Sequence, residues 1–376
     1  MPQVNISNQV DEEWFVGYAK AQRFIEESGI RTQTLRQLFK EKGIFVFAFT
    51  KENLGLLCPF FMLNYSNAEM LNSLAGIKVY PSVGGFYIKF DEEKSFEQIK
   101  EILCSVPQHE KDEYDVNISE VEINDSYLKA KLIYKYERST KLFFPESPIA
   151  VKVFIEKTED PTIFVVYGEI FRYMDFSKMR TFFTLNHLKD NFKVIDLNFS
   201  KLSSSSDKHE VIKNQVEKLK DVELSIEEQS SCFKILGTYE HRADRVADLS
   251  PSDDISYFQS SNKLNTETDI INPNTLIDQL ENQAGKCLSF IKCVYYSESQ
   301  KRYLSISFYY GNQFFVTFNS LYLYPKEDEE IQHPTSKDEL YNFPRRVLQK
   351  KEISKILSKI WICSAQELYS SFENID

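Results

Sequence analysis

A regular alternation of apolar and polar positions between residues 116 and 170 predicts four antiparallel β-strands separated by turns. The clearest strand has apolar residues at every even position from Leu128 to Tyr136, with mostly lysines between them. In the strand before it, the apolar positions change from even to odd, which indicates a β-bulge near Glu120. We therefore expect one face of this sheet to be buried and the other to face solvent.

Helices and further strands are predicted on both sides of this region. Residues 1–76 carry apolar residues at helical spacing and form a helical N-terminal subdomain. A hairpin is expected next, with residues 77–80 and 86–90 as strands and Gly84-Gly85 in the turn. Three apolar runs after residue 286 predict a second sheet, and helical spacing resumes from Val347 to the C terminus.

The pattern as a whole predicts an α+β fold: a helical N-terminal subdomain followed by two antiparallel sheets with packed helices. The expected domains are residues 1–76, 77–205 and 206–376, with the four serines at 203–206 as the second connector. Residues 242–273 are rich in Ser, Asp and Asn and poor in apolar residues, which predicts a mobile loop.

The composition indicates the cellular environment of the protein more clearly than its function. The chain carries a formal net charge of -11, so contact with a polyanion needs a local cationic surface. Its six cysteines include no Cys-x-x-Cys pair, which is typical of free thiols in a reducing compartment. Met1–Gln9 is polar and no apolar run reaches the length of a membrane span. We expect a cytoplasmic protein without a membrane partner.

Most catalytic signatures are missing from the sequence. The 11 glycines form no phosphate-binding motif, and no two of the 5 histidines stand at metal-ligand spacing. We therefore expect no cofactor, no metal ligand and no catalytic residue. The nearest approach to an active site is Asp160 with Glu169, which resembles the acidic pair of a metal-dependent nuclease, but Phe171 stands where such a site needs a lysine.

Two short helices joined by an extended loop are predicted near the N terminus. The residues that define them are Leu35, Leu38, Gly43, Ile44, Lys51, Leu54 and Leu57. Residues 31–63 thereby resemble the SAP-like helix–extended-loop–helix module, whose members generally bind DNA. The resemblance implies contacts from basic residues near the helix ends, here Arg31, Arg36, Lys40, Lys42 and Lys51. The family's loop is polar, whereas residues 45–49 are apolar, so we expect this loop to be buried.

The same segment fits two other interpretations. Phe24, the turn at Gly29-Ile30, and Leu35 with Leu38 also follow the spacing of a helix-turn-helix. A plain helical subdomain packed on the sheet explains the leucines equally well.

A basic cluster near the C terminus is the second binding signal. Arg345, Arg346, Lys350 and Lys351 follow Pro344, which predicts a helix beginning in this region. Cations are unfavourable at a helix start unless an anion compensates them, so this cluster is a candidate site for phosphate groups or an acidic partner. Lys355 and Lys359 continue the basic face beside an apolar stripe that includes Ile353, Leu357 and Trp361.

These observations favour a non-enzymatic binding or assembly module. Its expected ligand is nucleic acid or a protein partner, which includes a second copy of the chain. The alternative is a degenerate metal-dependent nuclease centred on the 116–170 sheet. The sequence leaves open the identity of the ligand, the choice between DNA, RNA and protein, and the oligomeric state.

Overall fold

A computed structural model describes residues 32–41, 45, 50, 53–54, 81–137, 146–171, 173–202, 204–245, 265–281, 286–325 and 331–372. The chain divides into two compact units. One consists of Met1–Val79 with Ile133–Ala150, and the other of Tyr80–Leu132 with Val151–Asp376.

Within the described residues, the strands form a single 13-stranded sheet. They are β1 (Ser82–Lys89), β2 (Val116–Ile123), β3 (Tyr127–Glu137), β4 (Glu146–Lys157), β5 (Ile163–Ile170), β6 (Lys193–Asp196), β7 (Asp221–Ile226), β8 (Gln229–Arg245), β9 (Asn265–Ile271), β10 (Lys286–Ser297), β11 (Arg302–Tyr310), β12 (Phe314–Leu323) and β13 (Arg345–Arg346). Their spatial order is β2-β3-β4-β5-β1-β12-β11-β10-β8-β7, with β6 on β1, β9 on β8 and β13 on β12.

The described helices lie between these strands and at the C terminus. They are α1 (Thr32–Glu41), α2 (Phe96–Cys104), α3 (Gln108–Glu113), α4 (Tyr173–Phe183), α5 (Asn186–Lys189), α6 (Ser205–Lys218), α7 (Pro273–Glu281), α8 (Lys337–Tyr341) and α9 (Lys350–Phe372). Serine side chains cap α2 and α6. Ser95 and Gln98 form a capping box at α2, and the Ser204 side chain accepts the Asp207 N–H at α6. The mixed helix and sheet content agrees with the predicted α+β class.

The expected division into two sheets is wrong, because β1 joins them. One edge of β1 pairs antiparallel with β5, and the other pairs with β12 and β6. The predicted turn at Ser82–Gly85 is therefore the first half of a strand. The boundary placed near residue 205 does not separate two sheets either, since β1 and β12 come from opposite sides of it.

Glycine at positions 84 and 85 serves close packing rather than chain reversal. A Cβ on Gly84 would lie 2.3 Å from the Phe315 ring, and one on Gly85 would lie 2.0 Å from the Val166 carbonyl oxygen. Only a residue without a side chain lets these neighbours approach the strand. Gly-Gly is also a common turn signal, which explains why the sequence pattern favoured a hairpin.

Helices cover both faces of the sheet around β1. Val83 and Tyr87 belong to a core that includes Trp361 of α9 and Val216 of α6. Phe86, on the opposite face, packs edge-on against Phe176 and Phe183 of α4, with ring centroids 6.1 and 5.4 Å away. This alternation along one strand places α9 on one side of the sheet and α4 on the other.

The strand register predicted between residues 116 and 132 is confirmed. Leu128, Ala130 and Leu132 are buried, and the lysines between them are partly exposed. In β2 the less exposed positions change from even to odd around Glu120, whose φ of 49° is the left-handed conformation found at β-bulges. Asn124 accepts hydrogen bonds from the Ser126 and Tyr127 amides and forms the predicted turn.

The loop predicted at residues 242–273 is wrong at both of its ends, where the structure has regular elements. Strand β8 continues through Arg245, and β9 with the start of α7 occupies residues 265–273, while residues 246–264 lie outside the described chain. Glu240 lies in this part of β8, is buried, and accepts hydrogen bonds from Lys292 and Lys337.

The described residues of the N-terminal unit confirm a first helix and its inward face. Leu35 and Phe39 of α1 are buried. The Thr50 side chain accepts the Asn53 amide, as expected of a helix cap, and Leu54 is buried. Phe45, however, is 72% exposed, so burial of the apolar loop is wrong at this residue.

Candidate functional site

A groove of about 940 Å³ runs between α9 and the face of β3, β4 and β5 that carries Tyr127, Phe154 and Tyr167. All of its lining residues belong to the larger compact unit. Six of them are lysines and two are glutamates, so the groove is cationic in a chain whose net charge is -11. The lysines are Lys129, Lys152, Lys350, Lys351, Lys355 and Lys359.

The helical wall is a direct product of the amphipathic pattern of α9. Its apolar stripe, which includes Ile353, Leu357 and Trp361, is fully buried against the sheet. Residues offset from this stripe by about half a turn, including Lys351, Lys355 and Lys359, face the groove. These three lysines are exposed and stand four residues apart, a separation of about 6 Å along the helix axis.

The charges of these three lysines are not neutralised internally. In the described parts of the chain, no carboxylate forms an ion pair with Lys351, Lys355 or Lys359. The row therefore presents an uncompensated positive potential along one wall.

The sheet wall is aromatic as well as basic. Phe154 of β4 stacks on Tyr167 of β5, with ring centroids 5.3 Å apart and planes 16° from parallel. Tyr127 of β3 packs edge-on against Phe154 at 5.8 Å, and Tyr167 contacts the buried Trp361 on its other side. Tyr127 and Phe154 are only partly buried, so they expose ring surface to the groove.

Lysines flank both exposed rings on the same face of the sheet. Lys129 follows Tyr127 by two residues on β3, and Lys152 precedes Phe154 by two residues on β4, so the alternation of a strand turns each pair in one direction. Lys129 also bonds to Glu122 at 2.6 Å, which raises the pKa of the lysine. Basic and aromatic side chains are thus interleaved on the sheet wall, which forms the floor of the groove.

Two carboxylates temper the positive charge of the groove. Glu169 is buried, and Lys152 Nζ lies 3.3 Å from its Oε1. Glu156 is half-buried and accepts a hydrogen bond from the Tyr167 hydroxyl. Burial raises the pKa of Glu156, an effect that the bond from Tyr167 partly opposes, while burial and the nearby Glu156 raise the pKa of Tyr167.

The structure separates the four C-terminal residues that the sequence grouped together. Lys350 and Lys351 line the groove, and Lys350 Nζ also lies 4.1 Å from the centre of the Phe171 ring. Arg345 and Arg346 form the short strand β13 instead, because α9 begins only at Lys350. Positions 346 and 350 therefore do not share a helical face.

Both arginines make contacts within the protein. Arg346 donates to Glu227 at 2.8 Å, and Arg302 donates to the other oxygen of the same carboxylate at 2.7 Å. These bonds lower the pKa of Glu227. The Arg345 guanidinium lies over the rings of Tyr322 and Tyr341, 5.5 and 5.3 Å from their centres. Glu227 therefore compensates the charge of Arg346 within the protein.

The residues implied by the SAP-like resemblance remain a separate prediction. Lys40 is exposed and Arg36 is half-buried on α1. Arg31, Lys42 and Lys51 lie outside the described residues.

The acidic pair considered for a nuclease does not converge. Asp160 lies in the turn after β4 and accepts bonds from Thr162, whereas Glu169 is near the far end of β5. The strand between Ile163 and Glu169 alone spans about 20 Å, too far for one metal ion to bind both carboxylates. In the described portion of the chain, no three His, Cys, Asp or Glu side chains cluster as metal ligands.

The sequence predicts the residues of the helical wall of the groove but not those of its floor. Lys351, Lys355 and Lys359 stood out as a charge reversal in an acidic chain. Tyr127, Lys152, Phe154 and Glu156 gave no such signal, although the alternation placed Lys129 on the solvent side of the sheet. The strand prediction could have found Phe154 as an aromatic residue at a solvent-facing position of β4.

Comparison with protein-family models, curated proteins and solved structures finds no match to the chain. Among the helices of the described residues, none is both long and apolar enough to cross a membrane.

Proposed function

We propose that the protein is a binding module for nucleic acid and that the groove beside α9 is its binding site. The observation that carries this proposal is the row of Lys351, Lys355 and Lys359, uncompensated and facing an aromatic floor. Cationic grooves that contain exposed aromatic side chains are the common solution for binding a nucleic-acid backbone.

Electrostatics explains why the site must be local. A chain with a net charge of -11 repels a polyanion at long range, and the screening length at physiological salt is about 8 Å. The six lysines that line the groove outnumber its two glutamates, and they still do when Glu122, the partner of Lys129, is counted. Attraction is therefore confined to the groove and should weaken steeply as salt rises.

The test is fluorescence anisotropy with labelled oligonucleotides and the full chain, titrated at several salt concentrations. The triple variant Lys351→Gln, Lys355→Gln, Lys359→Gln should bind more weakly than the unmodified protein. Each lost phosphate contact lowers the slope of log affinity against log salt by about 0.7 for a single strand. The variant's slope should therefore be smaller by about 2.

A matched control separates local charge from net charge. Lys100, Lys193 and Lys234 are exposed and lie outside the groove, and their joint replacement by Gln removes the same charge. This control should keep both the affinity and the salt slope. Equal losses in the two triple variants would contradict a binding site in the groove.

A variant of Arg345 and Arg346 tests whether the contact surface is the groove or β13. The double variant Arg345→Gln, Arg346→Gln should bind as the unmodified protein does, because both side chains are engaged by Glu227 and by aromatic rings. A flattened salt slope in this variant would place the contact surface at β13 instead. If the unmodified protein binds no oligonucleotide even at low salt, the proposal fails, and an acidic protein partner becomes the hypothesis to test.

A further inference from the structure

We infer that the groove selects single-stranded nucleic acid over duplex, with unpaired bases stacking on Tyr127 and Phe154. This inference rests on the proposed function and deepens it. It follows from how the exposed rings and the lysine row are placed relative to each other.

The two walls of the groove offer different chemistry. The α9 wall offers ammonium groups at intervals of one helical turn, over about 12 Å from Lys351 to Lys359. The sheet wall offers partly exposed rings of Tyr127 and Phe154, whose edge-on contact at 5.8 Å gives them different orientations. A ligand that fills the groove must therefore present negative charge on one side and flat apolar surface on the other.

The support beneath these rings fixes their positions. Phe154 stacks on Tyr167, and Tyr167 is held by its hydrogen bond to Glu156 and by contact with Trp361. Trp361 is fully buried and donates to the Phe314 carbonyl at 3.2 Å. A preorganised ring costs little entropy when a base stacks on it, which makes Phe154 a platform rather than a flexible surface side chain.

A single strand has both of the required features. Its phosphates lie on one side of the chain and its bases can turn to the other, where every base has a face that can stack on an aromatic ring. A duplex keeps its base faces stacked internally and presents only phosphates and groove edges. Duplex binding would therefore use the lysines and leave Tyr127 and Phe154 without a partner.

The deciding experiment compares three labelled probes of equal length on the full chain: a single strand, a duplex, and a strand in which abasic sites replace the bases. The single strand should bind at least about 5-fold more tightly than the abasic strand, the effect of one stacked base at about 1 kcal/mol. It should also bind more tightly than the duplex at the same salt concentration.

The double variant Tyr127→Leu, Phe154→Leu removes the rings and keeps apolar bulk against the core. It should bind the single strand no better than the abasic strand, with the salt slope of the unmodified protein. Tyr114→Leu, at an exposed tyrosine outside the groove, is the matched control and should change nothing. Thermal unfolding of each variant establishes that it folds. If the double variant does not fold, the probe comparison on the unmodified protein still decides.

The two proposals fail differently. Equal affinity for the single strand and the abasic strand, with a steep salt slope, would overturn base stacking and leave polyanion binding in place. Preference for the duplex would do the same. Failure to bind any of the three probes at low salt would overturn the proposed function itself.

Discussion

The Trp361 indole lies against the bare backbone of Gly85. A Cβ at position 85 would stand 2.8 Å from Trp361 Cη2 and 2.0 Å from the Val166 carbonyl oxygen. The first neighbour belongs to α9 and the second to the strand paired with β1, so both walls of this contact are rigid. Through this contact α9, the helix that carries the lysine row, packs against the sheet.

Gly85→Ala should therefore destabilise the protein severely. Overpacking a core by one methyl group costs about 1–3 kcal/mol, and we expect about 3 kcal/mol or more here because a backbone oxygen lies only 2.0 Å from the added Cβ. Chemical denaturation monitored by Trp fluorescence measures the change. Gly168→Ala is the matched control and should cost less, since its Cβ would meet the Lys152 carbonyl oxygen at 3.0 Å and a methionine sulfur at 3.1 Å. Equal losses would contradict the tight seating of Trp361.

The register of β3 gives a second prediction with an adjacent control. Leu132 is fully buried, so Leu132→Asp places an unpaired charge in the core and should cost several kcal/mol or prevent folding. Lys131 points the other way and pairs with Glu120, and both side chains are partly exposed. Lys131→Asp should change the free energy of unfolding by at most about 1 kcal/mol. Similar effects of the two substitutions would mean that the buried and exposed faces of β3 are assigned the wrong way round.

Local periodicity explains what could be predicted from the sequence. The alternation around Leu132 and the helical stripe of Ile353 and Trp361 each lie within one element, and burial followed both patterns. The single sheet could not be predicted in the same way. It depends on Gly84 and Gly85 meeting Phe315 and Val166, which are far away in sequence.

The candidate site was predictable to the same extent, and for the same reason. Charge density marks Lys351 and Lys355 within one helix, whereas the groove also needs Phe154, about two hundred residues earlier in the chain. The pairing of β4 with β5 brings Phe154 onto Tyr167, and α9 then lies across that pair. No pattern within a single element contains this information. Arg346 is the opposite case: charge density marks it as a candidate, but its side chain bonds to Glu227 within the protein.

The buried carboxylate of Glu240 supplies a third prediction. Burial alone would raise the pKa of Glu240, but Lys292 at 3.0 Å and Lys337 at 2.5 Å outweigh it and hold the pKa below its ordinary 4.5. A lowered folded-state pKa contributes stability above the unfolded pKa, and this stability is lost as pH falls through the folded value. Glu240→Gln should therefore reduce the free energy of unfolding at neutral pH by about 1–3 kcal/mol.

Acid titration separates this ion pair from simple packing. Unfolding measured at a series of pH values should show that the Glu240→Gln variant loses less stability below about pH 4.5 than the unmodified protein. Glu210→Gln, at an exposed position of α6, should follow the unmodified protein throughout. Parallel acid profiles for the two variants would contradict an ion-paired Glu240.

The half-buried carboxylate of Glu156 makes the groove sensitive to pH. Burial raises its pKa above the ordinary 4.5, and the hydrogen bond from Tyr167 opposes the shift without cancelling it. The carboxylate therefore takes up a proton at a higher pH than an exposed glutamate does. Protonation removes one of the two negative charges of the groove and should strengthen its attraction for a polyanion.

Glu156→Gln should tighten oligonucleotide binding at about pH 7.5 by a few-fold and should flatten the pH dependence, because Gln carries no charge and can still accept the Tyr167 hydroxyl. As pH falls through the raised pKa, the unmodified protein should gain affinity until it equals the variant. The free energy of unfolding of the unmodified protein should also be larger at low pH. The stability that the raised pKa of Glu156 contributes is fully present below the unfolded pKa and is lost as pH rises through the folded pKa. Glu97→Gln, an exposed change of equal charge on α2, should leave binding unaltered. If both variants bind alike at every pH, the Glu156 carboxylate does not face the bound phosphates, and the floor of the groove is not part of the site.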